Sequence, residues 1–382
     1  MVRWSQIGDK KLKTFAVLSK GVLVPAAVML ALLLCGGEPV AVQAAAMPLP
    51  VKISAYNKDI LYVGRFDDSR PAGPRCAWSA SSVSLRFRGT AAEACMSGGP
   101  NDRWQVIVDG HTTKKLTMAG KPSIFTLASG LNSGVHTITL FKLGEPIWGT
   151  TQIMSFRLAP GSRLLPMPPE ARHFEVIGDS ISAGYGDQAP NQTYHFSAKT
   201  ENAYLTYGAI AARDMKAEYV CIAWSGKCLW PKNTIPKIYG RVLPQDPDSR
   251  WNYAWTPQAI LINLGTNDFA GGDPAEHGWV NAYVDFIARL RKHDPGVSIF
   301  CALSPMLSDA WSPSKNARSM CRRYILAAVA KCRRLGYHRV YFVDFPLQTG
   351  KYGFGADWHP SVGEHRYMAT IVERALRKKL GW

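Results

Sequence analysis

Ser180, Asn267 and His359 are residues of the types that transfer acyl groups, and they occur in that order along the chain. Each lies just past an apolar, strand-like run, in the segments FEVIGDS, GTND and DWHP. A serine hydroxyl attacks an ester when a neighbouring base takes its proton, and histidine is the usual base. An asparagine amide can donate a hydrogen bond to the oxyanion that forms. Together the three residues predict an acyl-transfer site.

Ser180 is the candidate nucleophile because the residues around it predict a sharp turn between a strand and a helix. Gly178 lets the chain bend, and the residues that follow Ser180 open a helix whose first N–H groups point at a ligand. The plainer alternative is a serine that merely caps this helix.

His359 is the candidate base, since it follows the last predicted strand and lies between Trp358 and Pro360, which fix its loop and shield it from water. A catalytic imidazole needs an acceptor for its second N–H, and Asp357 is the nearest carboxylate. The alternative is that Asp357 caps the last helix and a backbone carbonyl holds the imidazole. His365 falls inside the predicted last helix and is less suited to be the base.

Three donors are candidates for the oxyanion hole. They are the side-chain amide of Asn267, the backbone N–H of Gly226 and the backbone N–H of Ser180. Glycine at 226 leaves room for a substrate to approach. The alternatives are a simple turn at Asn267 and a helix start at Gly226.

The elements that must position these residues fall into two domains. Short alternating strands separated by Gly, Asn and Asp predict an antiparallel β-sandwich over residues 47–164. Residues 165–171 form a proline-rich linker. Residues 172–382 alternate apolar strands with helices, which predicts an α/β domain with a parallel sheet covered on both faces. The predicted strands are Phe174–Ile177, Ala217–Ala223, Ala259–Leu264, Ser298–Leu303 and Arg339–Val343, and the predicted helices are Ala203–Asp214, Trp279–His293, Lys315–Leu335 and Val362–Leu380.

The topology predicts that the candidate residues meet. In parallel sheets, ligands bind beyond the carboxyl ends of the strands. Ser180, Gly226, Asn267 and Ser304 each follow a predicted strand by a few residues. We therefore expect them at one edge of the sheet.

Residues 1–46 predict an export signal that is removed from the mature protein. A basic start precedes an apolar run over residues 21–34, and Ala41–Ala46 supplies the small residues that a signal peptidase needs. The alternatives are a transmembrane anchor, for which the run is short, and lipid attachment at Cys35. We expect a periplasmic or secreted protein with no stable insertion in a membrane after cleavage.

The composition excludes some classes of partner and cofactor. The formal net charge is +17, but the densest basic cluster, around residues 318–334, has the spacing of the solvated face of an amphipathic helix, and no nucleic-acid partner is expected. Binding of an acidic polymer stays open. No Cys/His cluster has zinc spacing. Seven of the eight cysteines follow the leader, and Cys76–Cys95 and Cys221–Cys228 are the candidate disulfides.

The blocks GDS, WSGK, GTNDF and DWHP resemble those of the SGNH (GDSL-type) hydrolases, and in particular those of carbohydrate esterase family 2. That family joins an N-terminal jelly roll to an SGNH domain. The resemblance implies removal of O-acetyl groups from sugars, often at a 6-hydroxyl, with no metal and no organic cofactor. It implies Ser180 as nucleophile, His359 as base, and Gly226 and Asn267 in the oxyanion hole.

One position departs from the superfamily pattern, which places an aspartate three residues before the histidine. Here that position is Ala356, and Asp357 lies two residues before His359. The departure resembles family members that work with a Ser–His dyad and a backbone carbonyl.

The expected substrate is an acetylated polysaccharide or oligosaccharide, contacted by Trp358, Trp224 and Asp179. Trp230, Tyr185 and Trp311 also fall near the expected site, and each aromatic ring can instead serve packing. Two alternatives to an esterase stay open, an acetyl transferase of exopolysaccharide modification and a carbohydrate-binding protein without turnover. Hydrolysis and transfer differ in water exclusion, which the sequence does not specify.

Overall fold

The computed structural model of the chain describes residues 50–310 and 315–382. The predicted leader over residues 1–46, with Cys35, and the aromatic candidate Trp311 lie outside these residues. The described helices include none with the length and apolarity that a bilayer crossing requires.

The N-terminal half is a β-sandwich, as expected. Within the described residues it has one five-stranded and one six-stranded sheet, both antiparallel. The strands are β1 Val51–Ser54, β2 Leu61–Val63, β3 Arg75–Cys76, β4 Ser82–Gly89, β5 Ala92–Ser97, β6 Arg103–Val108, β7 His111–Thr117, β8 Ser123–Ala128, β9 Gly134–Lys142, β10 Thr151–Leu158 and β11 Arg163–Leu165. The first sheet has the order β1-β10-β5-β8 with β3 also on β10, and the second has the order β11-β4-β9-β6-β7 with β2 also on β4.

Alternation along the strands builds the core of the sandwich. On β4, Val83, Leu85 and Phe87 are fully buried, whereas Arg86 and Arg88 face solvent. Successive side chains of a strand point to opposite faces, so this pattern gives each sheet one apolar face. The apolar faces of both sheets form a single cluster of buried residues.

The C-terminal half has a five-stranded parallel sheet, which confirms the predicted α/β class. Its strands are β12 Arg172–Gly178, β13 Ala217–Ala223, β14 Ala259–Asn263, β15 Ser298–Leu303 and β16 Val340–Asp344, in the order β13-β12-β14-β15-β16. The order changes direction at β12, and such a switch point is where open α/β sheets bind ligands. Between Leu165 and Arg172 the chain has no strand or helix.

Helices cover both faces of the parallel sheet. They are α1 Ser180–Ala183, α2 Tyr207–Asp214, α3 Ile235–Ile238, α4 Thr266–Ala270, α5 Glu276–His293, α6 Ala317–Arg334 and α7 Val362–Leu380. The long helices α5 and α6 pack with one set of strand side chains, and α2 and α7 pack with the other. On α6 the buried residues include Cys321, Tyr324 and Ala328, and arginines lie on the other face, as predicted.

The two halves are joined by direct hydrogen bonds. The backbone N–H of Ala203 donates to the carbonyl of Leu143 (2.9 Å), and the indole of Trp78 donates to the carbonyl of Arg241 (3.2 Å). The described residues of both halves belong to one compact unit. The sandwich therefore packs directly on the α/β half.

The predicted disulfides are wrong, because all seven cysteines of the described residues are free thiols. Cys76 pairs with Thr151 on one part of β10, and Cys95 pairs with Ser155 from the neighbouring strand β5. Two strand spacings separate β3 from β5 and amount to about 10 Å, more than a disulfide spans. Cys221 is buried in β13, where its thiol donates to a carbonyl instead.

Candidate active site

Ser180 lies at the carboxyl end of β12, the strand at which the sheet order switches. The strand ends at Gly178, where a Cβ would lie 2.1 Å from the hydroxyl oxygen of Ser182, so only glycine fits. Asp179 caps the short helix α1 by accepting a hydrogen bond from the N–H of Ile181 (3.1 Å). The turn holds the Ser180 Oγ 2.9 Å from Nε2 of His359.

The imidazole of His359 is held on its other side by a backbone carbonyl. Its Nδ1 lies 3.1 Å from the carbonyl oxygen of Ala356. Because a carbonyl oxygen can only accept, the proton is on Nδ1 and the lone pair of Nε2 faces the Ser180 hydroxyl. The ring of Tyr185 stacks on the imidazole with centroids 4.0 Å apart.

The pKa of His359 is well below its usual range. Exclusion of water lowers it to about 4, and the backbone carbonyls of Ala356 and Asp357 oppose this shift only in part. The imidazole is therefore neutral near pH 7 and able to accept a proton.

The predicted hydrogen bond between Asp357 and His359 is replaced by the backbone alternative. The Asp357 carboxylate accepts hydrogen bonds from the hydroxyl of Tyr185 (2.9 Å), Nδ1 of His195 (2.9 Å) and the N–H of Phe196 (3.1 Å). Burial opposes ionisation, but these hydrogen bonds outweigh it and lower the pKa of Asp357.

The turn that carries His359 has an unusual backbone. Asp357 and Trp358 have φ values of +48° and +65°, in the left-handed region that non-glycine residues rarely adopt. The N–H of Ala356 donates to the carbonyl of Gly186 (2.9 Å). A Cβ on Gly186 would lie 2.3 Å from the Cβ of Ala356, so this contact also requires glycine.

Of the predicted oxyanion residues, Gly226 lies in the turn beyond β13 and Asn267 lies at the start of α4, directly beyond β14. Gly226 is exposed, with φ +74° and open space where a Cβ would be. The Asn267 amide donates one hydrogen to the carbonyl of Lys227 (2.9 Å). An amide nitrogen carries two hydrogens, so the second one is available to a ligand.

Two residues that we did not predict from the sequence hold the turn of Gly226 in place. The Asp268 carboxylate accepts from the N–H groups of Leu229 (3.0 Å) and Trp230 (2.9 Å). The amide of Asn233 donates to the carbonyl of Gly226 (2.9 Å). Asp268 belongs to the GTND segment, which was the signal for it in the sequence, whereas Asn233 has no pattern beyond its polar type.

Of the three predicted substrate contacts, Asp179 is wrong. It is fully buried beneath α1 as the helix cap, and burial raises its pKa to about 7. A residue with no exposed surface does not reach a polymer. Ser304, expected at the same edge, is also buried and accepts from the N–H of Met306.

Trp358 is 46% exposed, directly before the candidate base. Its ring lies edge-on to Phe354 at 5.1 Å, and its carbonyl accepts from the amide of Gln348 (2.6 Å). Together with Met306 and Leu347, these side chains line a groove of about 460 Å³. The groove is largely apolar, with an aromatic wall.

The remaining aromatic candidates are packed to different degrees. Trp224 is half-buried, with Nζ of Lys227 4.4 Å from its ring centre. Trp230 packs on Gly278 of α5, and Tyr185 stacks on His359. In the described ranges no set of three His, Cys, Asp or Glu side chains is arranged to hold a metal ion.

The geometry of the site defines a class of enzyme. A serine and a neutral histidine are hydrogen-bonded at the carboxyl edge of a parallel sheet, with amide donors on the segments that follow the two neighbouring strands. This is the arrangement of a serine hydrolase that uses a dyad, with a backbone carbonyl in place of the third member.

Each half of the chain matches a family model. Residues 62–168 match the model described as carbohydrate esterase 2 N-terminal, and residues 176–366 match the GDSL-like lipase/acylhydrolase family.

A solved structure of a family two carbohydrate esterase from Clostridium thermocellum, in complex with cellohexaose, is similar to this chain. It is 39% identical, covers 85% of this chain and 99% of its own, and has a TM-score of 0.80. This chain belongs to carbohydrate esterase family 2, which confirms the expectation of a carbohydrate esterase.

Two curated relatives differ in how much of their own length this chain covers. The cellulase/esterase CelE of Acetivibrio thermocellus is 39% identical over 333 residues, which are 85% of this chain but 40% of CelE. An acetylxylan esterase/glucomannan deacetylase of Cellvibrio japonicus is 25% identical over 82% of this chain and 88% of its own. This chain thus spans about 40% of the length of CelE and most of the second relative.

Proposed function

We propose that the protein hydrolyses O-acetyl esters of polysaccharides or oligosaccharides through an acetyl-enzyme on Ser180. The observation that carries the proposal is the 2.9 Å contact between Ser180 Oγ and Nε2 of a neutral His359, whose Nδ1 is occupied by a backbone carbonyl. The names of the relatives, a cellulase/esterase and an acetylxylan esterase/glucomannan deacetylase, support acetylated polysaccharides as the substrate class.

The first half-reaction forms the acetyl-enzyme. Nε2 of His359 takes the proton of the Ser180 hydroxyl while Oγ bonds to the acetyl carbonyl carbon. The tetrahedral intermediate collapses, the bond from carbon to the sugar oxygen breaks, and the imidazolium protonates that oxygen. The sugar leaves with a free hydroxyl group.

The second half-reaction releases acetate. A water molecule gives a proton to Nε2 of His359 and bonds to the same carbonyl carbon. The bond from carbon to Ser180 Oγ breaks, and Oγ takes the proton back. During both steps the negative oxygen accepts hydrogen bonds from the N–H groups of Ser180 and Gly226 and from the second hydrogen of the Asn267 amide.

Asp357 acts through the turn and is a positioning residue. Its three hydrogen bonds hold Asp357 and Trp358 in the left-handed backbone that places the Ala356 carbonyl against the imidazole. An interaction through the imidazole itself is not needed, since Nδ1 already has an acceptor.

The sugar chain lies along the groove beside Trp358, with Trp224 as a second contact. An exposed indole next to the base offers a flat apolar face to a pyranose ring, and the groove continues past Phe354. The predicted export signal over residues 1–46 fits a polymeric substrate of this kind outside the cytoplasm.

The test is acetate release from 4-nitrophenyl acetate and from acetylated xylan, glucomannan and cellulose. Ser180→Ala is compared with Ser182→Ala, which removes a nearby buried hydroxyl that bonds to Tyr207. We expect release by the wild type and Ser182→Ala, and a loss of about 10⁴-fold or more in Ser180→Ala.

Two outcomes would contradict the proposal. Wild-type turnover in Ser180→Ala would exclude the acetyl-enzyme on this serine. Transfer of the acetyl group to an added oligosaccharide, with no free acetate, would favour the transferase alternative.

A further inference from the structure

The β-sandwich contributes a carboxylate to the turn that carries Gly226. Glu145 lies between β9 and a short helical turn over Pro146–Trp148, and its side chain is fully buried. Its Oε2 accepts a hydrogen bond from the N–H of Ser225 at 2.5 Å. Ser225 directly precedes Gly226, so this contact reaches one residue from a proposed oxyanion donor.

Glu145 is itself fixed from the α/β half. The carboxylate of Glu201 accepts from the N–H of Glu145 (3.2 Å) and from the indole of Trp148. The short segment 145–148 is thus held by Glu201 at both of its ends, which gives the Glu145 carboxylate a defined place.

Besides the bond from Asn233 to the carbonyl of Gly226, three side chains attach the turn 224–230 on either side of this glycine. Glu145 holds Ser225, Asn267 holds the carbonyl of Lys227, and Asp268 holds the N–H of Leu229. Gly226 lies between the first two attachments and has an open, left-handed backbone. With no side chain to pack, its orientation depends on its neighbours.

Burial of the Glu145 carboxylate at this position is destabilising, which indicates that the residue has a role other than packing. Burial raises the pKa of both Glu145 and Glu201, and the neighbouring carboxylate of Glu145 raises that of Glu201 further. Two acidic groups beside each other in a buried interface are destabilising unless they are hydrogen-bonded. An apolar side chain would fill the space without that cost.

We infer that Glu145 is a positioning residue of the active site, through which the β-sandwich sets the direction of the Gly226 N–H. The inference rests on the proposed esterase function. The sandwich is then part of the catalytic unit, because the acceptor for Ser225 comes from its chain segment.

The experiment compares Glu145→Gln with Glu145→Leu, which are similar in size but differ in the acceptor for Ser225. Gln245→Leu is the control. The amide of Gln245 donates to the carbonyl of Pro146 (2.8 Å), so this variant removes a hydrogen bond between the two halves that touches neither the Glu145 carboxylate nor the turn 224–230. The readouts are kcat and KM for 4-nitrophenyl acetate. We expect Glu145→Leu to lose about 10- to 100-fold in kcat, less than deletion of an oxyanion donor.

The expected KM of Glu145→Leu is within about twofold of the wild type, because the oxyanion donor acts on the transition state and not on the ground state. Glu145→Gln and Gln245→Leu are expected to keep kcat within about threefold. Wild-type kcat in folded Glu145→Leu, or an equal loss in Gln245→Leu, would overturn the inference.

Two further measurements keep the inference testable if Glu145→Leu does not fold or the enzyme is inactive on these esters. Glu145→Asp withdraws the acceptor by one methylene and is expected to lower kcat to an intermediate value; an unchanged kcat would contradict the inference. Hydrogen–deuterium exchange of the segment 224–230 needs no turnover. Faster exchange in Glu145→Leu or Glu145→Asp than in Glu145→Gln supports the inference, equal exchange overturns it, and an inactive wild type contradicts the proposed function alone.

Discussion

The two sides of the active site are held in different ways. On the base side, the turn of His359 is attached by the Asp357 carboxylate and the Gly186 carbonyl, both within the α/β half. The sandwich reaches that side through ring contacts, from Trp148 to Phe196 and from there to Tyr185. Its Lys115 and Arg103 also donate to the neighbouring segment, at the side chain of Gln188 and the carbonyl of Ala198. On the oxyanion side, a sandwich carboxylate bonds directly to the turn.

This difference indicates which part of the active site each domain positions. On the base side, the hydrogen bonds to the Asp357 carboxylate are all made within the α/β half, and the sandwich bonds only to the neighbouring segment. The oxyanion side depends on the packing of the two halves against each other. Variants of the interface should therefore change stabilisation of the oxyanion more than proton transfer.

The largest expected effect after loss of the nucleophile is on the oxyanion side. Asn267→Ala removes a proposed donor and also the bond that holds the Lys227 carbonyl. We expect kcat for 4-nitrophenyl acetate to fall by about 10²- to 10³-fold with little change in KM.

A control for this variant is Asn281→Ala, which lies on the far helix α5 and bonds to Lys331. It should leave turnover unchanged. If Asn267→Ala keeps more than a third of the wild-type kcat, its amide is not a donor to the oxyanion.

A smaller effect is expected on the base side, at Asp357. Asp357→Ala removes all three bonds that hold the left-handed turn, and we expect a loss of about tenfold in kcat, in line with the loss of a few hydrogen bonds rather than of the base. Asp357→Asn keeps an acceptor oxygen and should lose less.

The size of the Asp357 effect separates two roles. A loss in Asp357→Ala as large as that in His359→Ala would mean that the carboxylate acts on the imidazole directly. We do not expect such a loss, because Nδ1 is bonded to the Ala356 carbonyl. The charge of Asp357 raises the pKa of His359 through space, so Asp357→Asn should move the acidic limb of the pH profile to lower pH without a large loss at neutral pH.

The smallest effect is expected from acidification, because the base is already neutral. His359 has a pKa of about 4, below the usual value for histidine, and it must be unprotonated to accept the Ser180 proton. Activity should therefore stay near its neutral value down to about pH 5 and fall with a midpoint near pH 4. A pH profile of kcat/KM, with acetate measured directly, tests this.

The controls for the pH profile are an unchanged circular dichroism spectrum at each pH, which excludes unfolding, and recovery of full activity after return to pH 7, which excludes irreversible damage. A midpoint near 6.5 would show that the imidazole is as solvated as in a peptide. The description of the base side as a buried imidazole held by the Ala356 carbonyl would then be wrong.

Much of the fold and the core of the site followed from patterns in the chain. Alternation of apolar and polar residues on segments such as β4 predicted the sandwich, because its strands are buried on one face only. Continuous apolar runs such as β14 predicted the parallel sheet, because its strands are buried on both faces. The place of Ser180, Gly226 and Asn267 after successive strands was enough to bring them to one edge. Local order along the chain determines such features.

Other features depend on residues that are distant in sequence, and only the tertiary structure decided them. The partners of Asp357 come from residues 185–196, and the carboxylate that holds Ser225 comes from Glu145, 80 residues earlier. Asp179 was expected to contact the substrate, but packing buried it. The chain determined which groups are available and at which edge they gather. The hydrogen bonds each group makes, and the water each one loses, were determined by how the two halves pack.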